Sequence, residues 1–518
     1  MADIIDDEDV ILPHVWATHG RLRAAHPALI CGGRVLSWGE LDAAANRVAH
    51  GLAACGIGKG DAVAILMSNS VETVEVMLGV VKSGACLVPI STMLTAEQAG
   101  GLVADSGATL LVASAGTRAL VEAFDARGRV RRVASDFTAP GWMTLAALVD
   151  GVASTPPSIR YASSDPFNII YSSGTTGLPK GIVQSHRARR HWSWSNALEM
   201  GFRHDSVALI TTPLYSNGTW FMLLPPLLLG ATVVVMERFS PGEFLALVEK
   251  HRVTHSFVVP AQCQMLLDDA SLDTADLSSV ETLLSAGSSL RSTVRAEVER
   301  RITPNLYELY GFSEGFASII GPSDAARKPG SVGRPVVGFD IRIIDDAGDE
   351  LAAGETGEIA GFGGGAMLRY HDREDATAEL IWRDAAGRSF LRSGDIGRLD
   401  EDGFLYIVDR KKDMILSGGF NVFPGDIEEI VGAHEDVADV TVIGVPHPRW
   451  DEVPLALVIL REGRVVEAAT LLEWANARLA KTQRLAAVEF RSDFPRNALG
   501  KVIKRSLCEP YWRGEAAE

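Results

Sequence analysis

Three observations predict an α/β protein built in two parts. Helical and strand patterns alternate as far as about Lys411, the strand candidates are continuously apolar, and a Gly- and Pro-bearing segment then gives way to shorter elements. Continuously apolar strands suit sheets covered on both faces, so the larger, N-terminal part is expected to hold parallel or mixed sheets under helices. A chain of 518 residues also exceeds what one hydrophobic core normally organises.

The first clear element is a helix. Trp38, Leu41, Ala45, Val48 and Leu52 recur at spacings of three and four, and Ser37 with Glu40 forms a capping-box signature at their start. The apolar run 62–67 predicts a strand, the pattern over 71–81 a helix, and 86–90 a second strand. The same rhythm returns at 207–211, Thr232–Val235 and 256–259, which extends the α/β expectation through the whole first part. The most apolar stretch, 220–236, is interrupted by Pro225, Pro226 and Gly230 and falls short of the ~20 residues that cross a bilayer. It predicts buried core and no membrane span.

Beyond Lys411, Pro424 predicts the start of a helix carrying Ile427, Ile430 and Val431. Strands over 440–445 and 455–460 and a helix over 471–479 complete a small α+β unit.

A net charge of −17 repels nucleic-acid phosphates and anionic lipid, so a small-molecule or protein partner fits better than nucleic acid. Cys31, Cys55, Cys86, Cys263 and Cys508 are odd in number and form no CxxC pair, which predicts neither a disulfide framework nor a zinc site and suits a reducing cytoplasm. The acidic start, Met1 to Asp9, has no basic and apolar secretory pattern, which again predicts a cytoplasmic protein.

After the apolar run 167–171 stands Ser172-Ser173-Gly174-Thr175-Thr176-Gly177-Leu178-Pro179-Lys180-Gly181. Its glycines let backbone N–H groups approach an anion, while hydroxyls and a lysine converge on the same place, as a polyphosphate cradle requires. The spacing G-x-x-x-x-G-K-[ST] of the NTPase P-loop is absent. An ordinary solvated turn would account for the glycines but not for the clustered hydroxyls beside a lysine.

This segment resembles the signature loop of the adenylate-forming superfamily, which includes acyl-CoA synthetases, peptide-synthetase adenylation domains and luciferases. The resemblance continues in order through Tyr310-Gly311-Phe312-Ser313-Glu314, Ser393-Gly394-Asp395, Asp409-Arg410-Lys411-Lys412-Asp413 and Pro495-Arg496-Asn497-Ala498-Leu499-Gly500-Lys501.

The resemblance implies an AMP-forming acid:CoA ligase that takes a carboxylic acid, ATP, Mg2+ and coenzyme A. It implies that Lys501 carries the adenylation step, with Glu314 as the Mg2+ ligand and Thr176 and Lys180 as further catalytic groups. Ser172 to Gly177, Gly287, Ser288, Tyr310, Gly311 and Ser313 would line the nucleotide site, and Asp395 with Arg410 would hold the ribose. The family's hinge position falls on Lys412, dividing the chain into an adenylate-forming domain, 1–411, and a small mobile lid domain, 412–518. Gly418, Gly419, Trp450 and Arg484 resemble groups that line the CoA channel. Tyr215, Ser216, Trp220, Phe221, Gly287 and Phe316 are the pocket candidates for the acid, by their neighbourhood to the motifs.

Ser216 stands where many relatives carry an aromatic or histidine gate, so the family's substrate preference does not transfer. Thr482 likewise lacks the aromatic common in aryl ligases. A carrier protein is the alternative acceptor, although little chain follows Lys501 and the acidic surface offers no docking patch for an acidic carrier. The oligomeric state is left open, a homo-oligomer included.

Two other classes compete. Gly311 to Gly315 fits the G-x-S-x-G elbow of α/β-hydrolases, with Ser313 as nucleophile and Asp395, His434 and His447 following in order. A catalytically silent nucleotide-binding scaffold would tolerate loss of Lys501 and Glu314, both of which are present. Gly361 to Ala366 matches G-x-G-x-x-A but predicts a flexible turn, because no helix pattern follows it. His186 and His191, five apart in a basic stretch, miss the spacing of two metal ligands on one helix face and predict a solvated or anion-facing helix.

Overall fold

The computed structural model describes residues 10–125, 130–172, 179–417, 420–496 and 500–513. Its local elements follow the chemistry of the chain. Ser37 Oγ accepts the Glu40 N–H at 3.3 Å and the Glu40 carboxylate accepts the Ser37 N–H at 2.8 Å, which starts the helix Trp38–Ala54. That helix buries Trp38, Leu41, Ala45, Val48 and Leu52. It packs on the helix Val71–Lys82, whose Lys82 is buried against Asp42 and Asn46.

Two large sheets carry the N-terminal part. In one, six parallel strands run in the order Leu306–Phe312, Thr282–Ala286, His255–Val258, Val207–Ile210, Thr232–Val235 and Pro27–Cys31, with antiparallel strands added at both edges. In the other, Pro166–Ser172, Cys86–Pro89, Ala62–Leu66 and Leu110–Ala113 are parallel neighbours, and Lys180–Ser185 closes the edge of Pro166–Ser172 antiparallel. The inner strands of both sheets are buried on both faces, as their apolar sequences require.

The α/β expectation fails over the last stretch of this part. Phe339–Ile344, Gly357–Gly363, Ile381–Arg383, Ser389–Leu399 and Leu405–Arg410 form a wholly antiparallel sheet, with short turns joining its last three strands in sequence. Several of its strands are only partly buried along their length, so their sequences lack the continuous apolar run that marks parallel strands. The segment read as a flexible turn lies here too: Gly361 to Gly363 belong to a strand, and Gly361 faces the Phe316 ring too closely for any side chain.

Two further corrections concern helices. Pro225 and Pro226 do not interrupt the apolar stretch. They sit inside the helix Trp220–Leu229, which ends only at Gly230, φ +72°. Burial on nearly every side outweighs the lost backbone donors. The basic stretch is likewise only partly solvated: Arg187 is exposed, but the helix His186–Glu199 turns His186 and Arg189 into the interior.

The C-terminal part has its own core of Ile415, Ile427, Val431, Val442, Ala456, Val458 and Leu471. Its sheet pairs Val437–His447 with Asp451–Leu460 antiparallel, with Ala487–Phe490 parallel beside the latter. The helix Pro424–Gly432 starts at Pro424. Residues 411–413 form the turn between the two parts.

Candidate active site

The site is built where strand ends and turns of three sheets converge. Ser172 pairs with Lys180 across two antiparallel strands, so the hairpin that bears the phosphate-loop motif is anchored at its base. Ser173, Gly174, Thr175, Thr176 and Gly177 lie outside the described residues, and the side chain of Ser172 does as well. Lys180 Nζ sits 4.8 Å from the centre of the Tyr370 ring.

Glu314 occupies the turn between the antiparallel strands Leu306–Phe312 and Phe316–Ile320. It is 7% exposed, and burial raises its carboxyl above the ordinary range, against the pull of Tyr370 and Lys180. Tyr370 Oη donates to Glu314 Oε1 at 2.6 Å, and Gln184 Nε2 donates to the Ser313 carbonyl at 2.9 Å, tying the two hairpins together. Gly315, φ +149°, must be glycine: a Cβ there would lie 2.3 Å from Ala366 Cα. Sequence reasoning missed Tyr370 and Gln184, because neither lies in a recognisable local pattern.

Next to this turn, Tyr310 Oη donates to Asp395 Oδ2 at 2.7 Å. Burial, and then the Asp395 charge, push the Tyr310 phenol well above its ordinary value. Asp395 faces Arg410 across paired strands, with Nε 3.5 Å from Oδ1, and its N–H is held by Ser393 Oγ at 3.0 Å. Gly287, φ +101°, and Ser288 emerge exposed at the carboxyl end of the strand Thr282–Ala286, where open parallel sheets place their ligands. Gly311 lies at the end of the strand that carries Tyr310.

From the small domain, Lys501 is brought to the same place. Burial lowers its ammonium to about 8, and the charges it senses are Arg410, Asp395, Asp413 and Lys412. The motifs of Asp395 and of Arg410 to Asp413, neighbours in sequence, thus meet a lysine that lies much farther along the chain. Lys412 is exposed in the turn 411–413, where the Asp413 and Met414 N–H groups bond back to the Arg410 carbonyl. Trp450, 43% exposed, lies under the Arg449 guanidinium at 4.7 Å, and Arg484 is exposed beyond a short 3-10 turn. Gly418 and Gly419 are outside the described residues.

The acid-pocket candidates divide in two. Tyr215 and Phe221 are half-buried and Ser216 is buried at the start of the 3-10 turn Asn217–Thr219, whereas Trp220 and Phe316 sit in the core. Phe221 joins Trp192 and Phe339 in an aromatic group, with ring centres 5.0 and 4.7 Å from Trp192. The segment at Ser216 is held from beneath by Arg189, which donates to Asn217 Oδ1 and Asn168 Oδ1 at 3.0 Å each and faces the Trp220 ring at 5.1 Å. Burial lowers the Arg189 guanidinium to about 9.

Ser313 does not sit on a nucleophile elbow. An elbow joins a strand to a helix, and here the turn joins two antiparallel strands. His434, the nearer of the proposed bases in sequence, packs edge-on against Trp474 in the small domain's core.

Among the described residues no group of three or more His, Cys, Asp and Glu side chains could cage a metal. Mg2+ typically takes one or two protein carboxylates and completes its shell with phosphate oxygens and water, and the buried Glu314 is a carboxylate that could serve it here.

Known proteins resemble this chain over nearly its whole length. The AMP-binding enzyme family matches residues 16–371, and the AMP-binding enzyme C-terminal domain matches 426–501. A feruloyl-CoA synthase from Amycolatopsis sp is 34% identical over 91% of this chain and 93% of its own length. The indoleacetate–CoA ligase of Aromatoleum aromaticum is 33% identical over 94% and 95%. Among solved structures, ATP-bound MatB from Rhodopseudomonas palustris superposes with a TM-score of 0.87 at 28% identity, covering 97% of this chain and 99% of that one. Bacillus subtilis o-succinylbenzoate CoA synthetase with its acyl-adenylate intermediate gives 0.82 at 28% identity, over 95% and 97%. On this sequence match and shared architecture, the chain belongs to the AMP-binding enzyme family, in the acyl-CoA ligase branch of the adenylate-forming superfamily.

Proposed function

We propose that this AMP-forming acid:CoA ligase makes its acyl-adenylate with the small domain in the orientation described above, using Lys501 as the bridging cation. The observation that carries the reading is the position of Lys501, half-buried within the electrostatic reach of Asp395 and Arg410. A carboxylate oxygen attacks the α-phosphorus of ATP, the bond to the pyrophosphate oxygen breaks, and the acyl-AMP remains. Two like charges about 4 Å apart repel by roughly 4 kcal/mol at an effective dielectric near 20. An ammonium between them offsets this.

Asp395 accepts from the ribose hydroxyls, Arg410 and Tyr310 hold Asp395, and the hydroxyls and lysine of the motif that holds Thr176 and Lys180 are assigned to the departing pyrophosphate. When bound, Mg2+ neutralises phosphate charge, with Glu314 as its protein ligand. Burial of Glu314 makes its carboxylate ready to take a cation in place of bulk water.

The second half transfers the acyl group to the CoA thiol: the sulfur bonds to the acyl carbon, AMP leaves, and the thiol proton passes to solvent. On this reading Lys501 must give way to the thiol, so the domain 412–518 turns about Lys412 and brings Gly418, Gly419, Trp450 and Arg484 to the channel. The acid has an apolar body, received beside Tyr215, Ser216, Phe221 and Gly287 near the aromatic group of Trp192 and Phe339. Among the described residues no helix is long and apolar enough to cross a membrane. With five free thiols and ATP and CoA as substrates, we place the enzyme in the cytoplasm.

The test is ATP–pyrophosphate exchange with ferulate, indole-3-acetate, 2-succinylbenzoate and a long-chain fatty acid. At least one acid supports exchange, and Lys501→Ala lowers it by about 100-fold, the scale for deleting one transition-state charge partner. Thioester formation from supplied acyl-AMP survives in that variant. Exchange that does not depend on an added acid would overturn the reading.

A further inference from the structure

We propose that Asp439 is a positioning residue for adenylation: it latches the small domain to Arg291 of the large domain and, through Arg496, fixes the backbone that carries Lys501. The proposal rests on the adenylation role given to Lys501 above.

Arg291 stands at the start of the helix Ser292–Arg301, four residues beyond Gly287 of the nucleotide edge. Its Nη2 donates to Asp439 Oδ1 at 2.7 Å and its Nη1 to the Ala438 carbonyl at 2.6 Å, so the guanidinium grips one residue's side chain and the preceding residue's backbone. The other Asp439 oxygen accepts from Arg496 Nη2. Arg496 Nη1 in turn donates to the Gly500 carbonyl at 2.8 Å, and residue 496 bridges to Val502 on the far side of Lys501. The Val440 N–H holds Asp439 Oδ1 at 2.9 Å and sets the carboxylate's direction. Gly500 itself lies against the large domain, where a Cβ would meet Ala261 at 3.8 Å.

The chain of contacts therefore runs from the large domain, through one carboxylate, to the residue preceding Lys501. Exposed ion pairs add little stability, typically under about 1 kcal/mol, and these side chains are a quarter to two-fifths exposed. Their effect lies in geometry: a reacting group displaced by about 1 Å can lose on the order of 100-fold in rate. The two links also respond differently to a domain rotation. Asp439 and Arg496 both belong to the small domain and travel together, whereas the bond to Arg291 exists only in this orientation. The latch thus favours the first half-reaction and must open for the second.

The experiment measures the two half-reactions separately in the full-length enzyme, using the panel acid that gives the fastest exchange and its synthetic acyl-adenylate. Arg291→Ala is expected to slow ATP–pyrophosphate exchange about 10- to 100-fold, while thioester formation from the acyl-adenylate is unchanged or faster. Asp439→Asn should show the same split, and Arg291→Lys should recover part of the exchange. Wild-type exchange in Arg291→Ala, or an equal loss in both halves, overturns the latch. Lys501→Ala is the control: if it exchanges normally, the adenylation reading fails, whereas loss in Lys501→Ala beside full activity in Arg291→Ala refutes the latch alone.

Discussion

The adenylation role proposed for Lys501 needs a cation, and its surroundings already disfavour that state. Burial brings its ammonium to about 8, so the free enzyme loses the proton as pH rises through that value. The kcat/KM of the adenylation half should therefore fall about tenfold per pH unit above about 8, while an arginine at this position removes that limb, because guanidinium stays charged. A pH profile of exchange in wild-type and Lys501→Arg checks this, and an unchanged limb in the arginine variant assigns the titration to another group. Glu314 poses the opposite problem, a carboxylate in a buried turn. Its one described side-chain donor is the Tyr370 hydroxyl at 2.6 Å. Tyr370→Phe should cost about 1.5–3 kcal/mol of stability, as for a hydrogen bond to a charged group, measured as a shift in urea midpoint.

At the scale of elements, the turn 411–413 and the turn around Gly315 do opposite jobs. The first leaves Lys412 exposed between two sheets, so Lys412→Pro, which fixes φ, should keep exchange and block thioesterification. Retention of both steps would move the hinge elsewhere. The turn around Gly315 is immobile by packing, since the Met367 N–H bonds to the Glu314 carbonyl at 2.7 Å and Ala366 leaves no room for a side chain. Gly315→Ala should destabilise the large domain by about 1–3 kcal/mol and reduce exchange with it, as thermal unfolding alongside the exchange assay will show. Local signals of this kind were readable unevenly. Ser37 with Glu40, Pro424 and the apolar runs act through neighbours in sequence, so their elements appear where expected. The antiparallel sheet over 339–410 gives no continuous apolar run in sequence, because several of its strands are only partly buried, and one of its pairings joins Gly357–Gly363 to Ser389–Leu399 across an intervening helix.

At the scale of the whole molecule, the two domains share a charged seam: Arg291 with Asp439, and Lys501 near Asp395 and Arg410. Salt screens partly exposed pairs, so raising ionic strength from about 0.05 to 0.5 M should slow exchange more than thioester formation from acyl-AMP. Equal slowing would argue that the seam does not govern orientation. The amino-acid sequence by itself determined the two-part division, the helix starts, the buried apolar strands and the ordered motifs ending in Lys501, because caps, periodicity and short motifs are properties of adjacent residues. Only the tertiary structure decided that Tyr370 supports Glu314, that Arg189 lies buried beneath the segment of Ser216, that Ser313 sits in a turn unfit for a nucleophile, and that Asp439 joins Arg291 to Arg496. Apart from the Ser313 turn, whose two strands are neighbours in sequence, each of these depends on partners tens to hundreds of residues apart, brought together by sheet pairing and domain contact that leave no trace in local spacing.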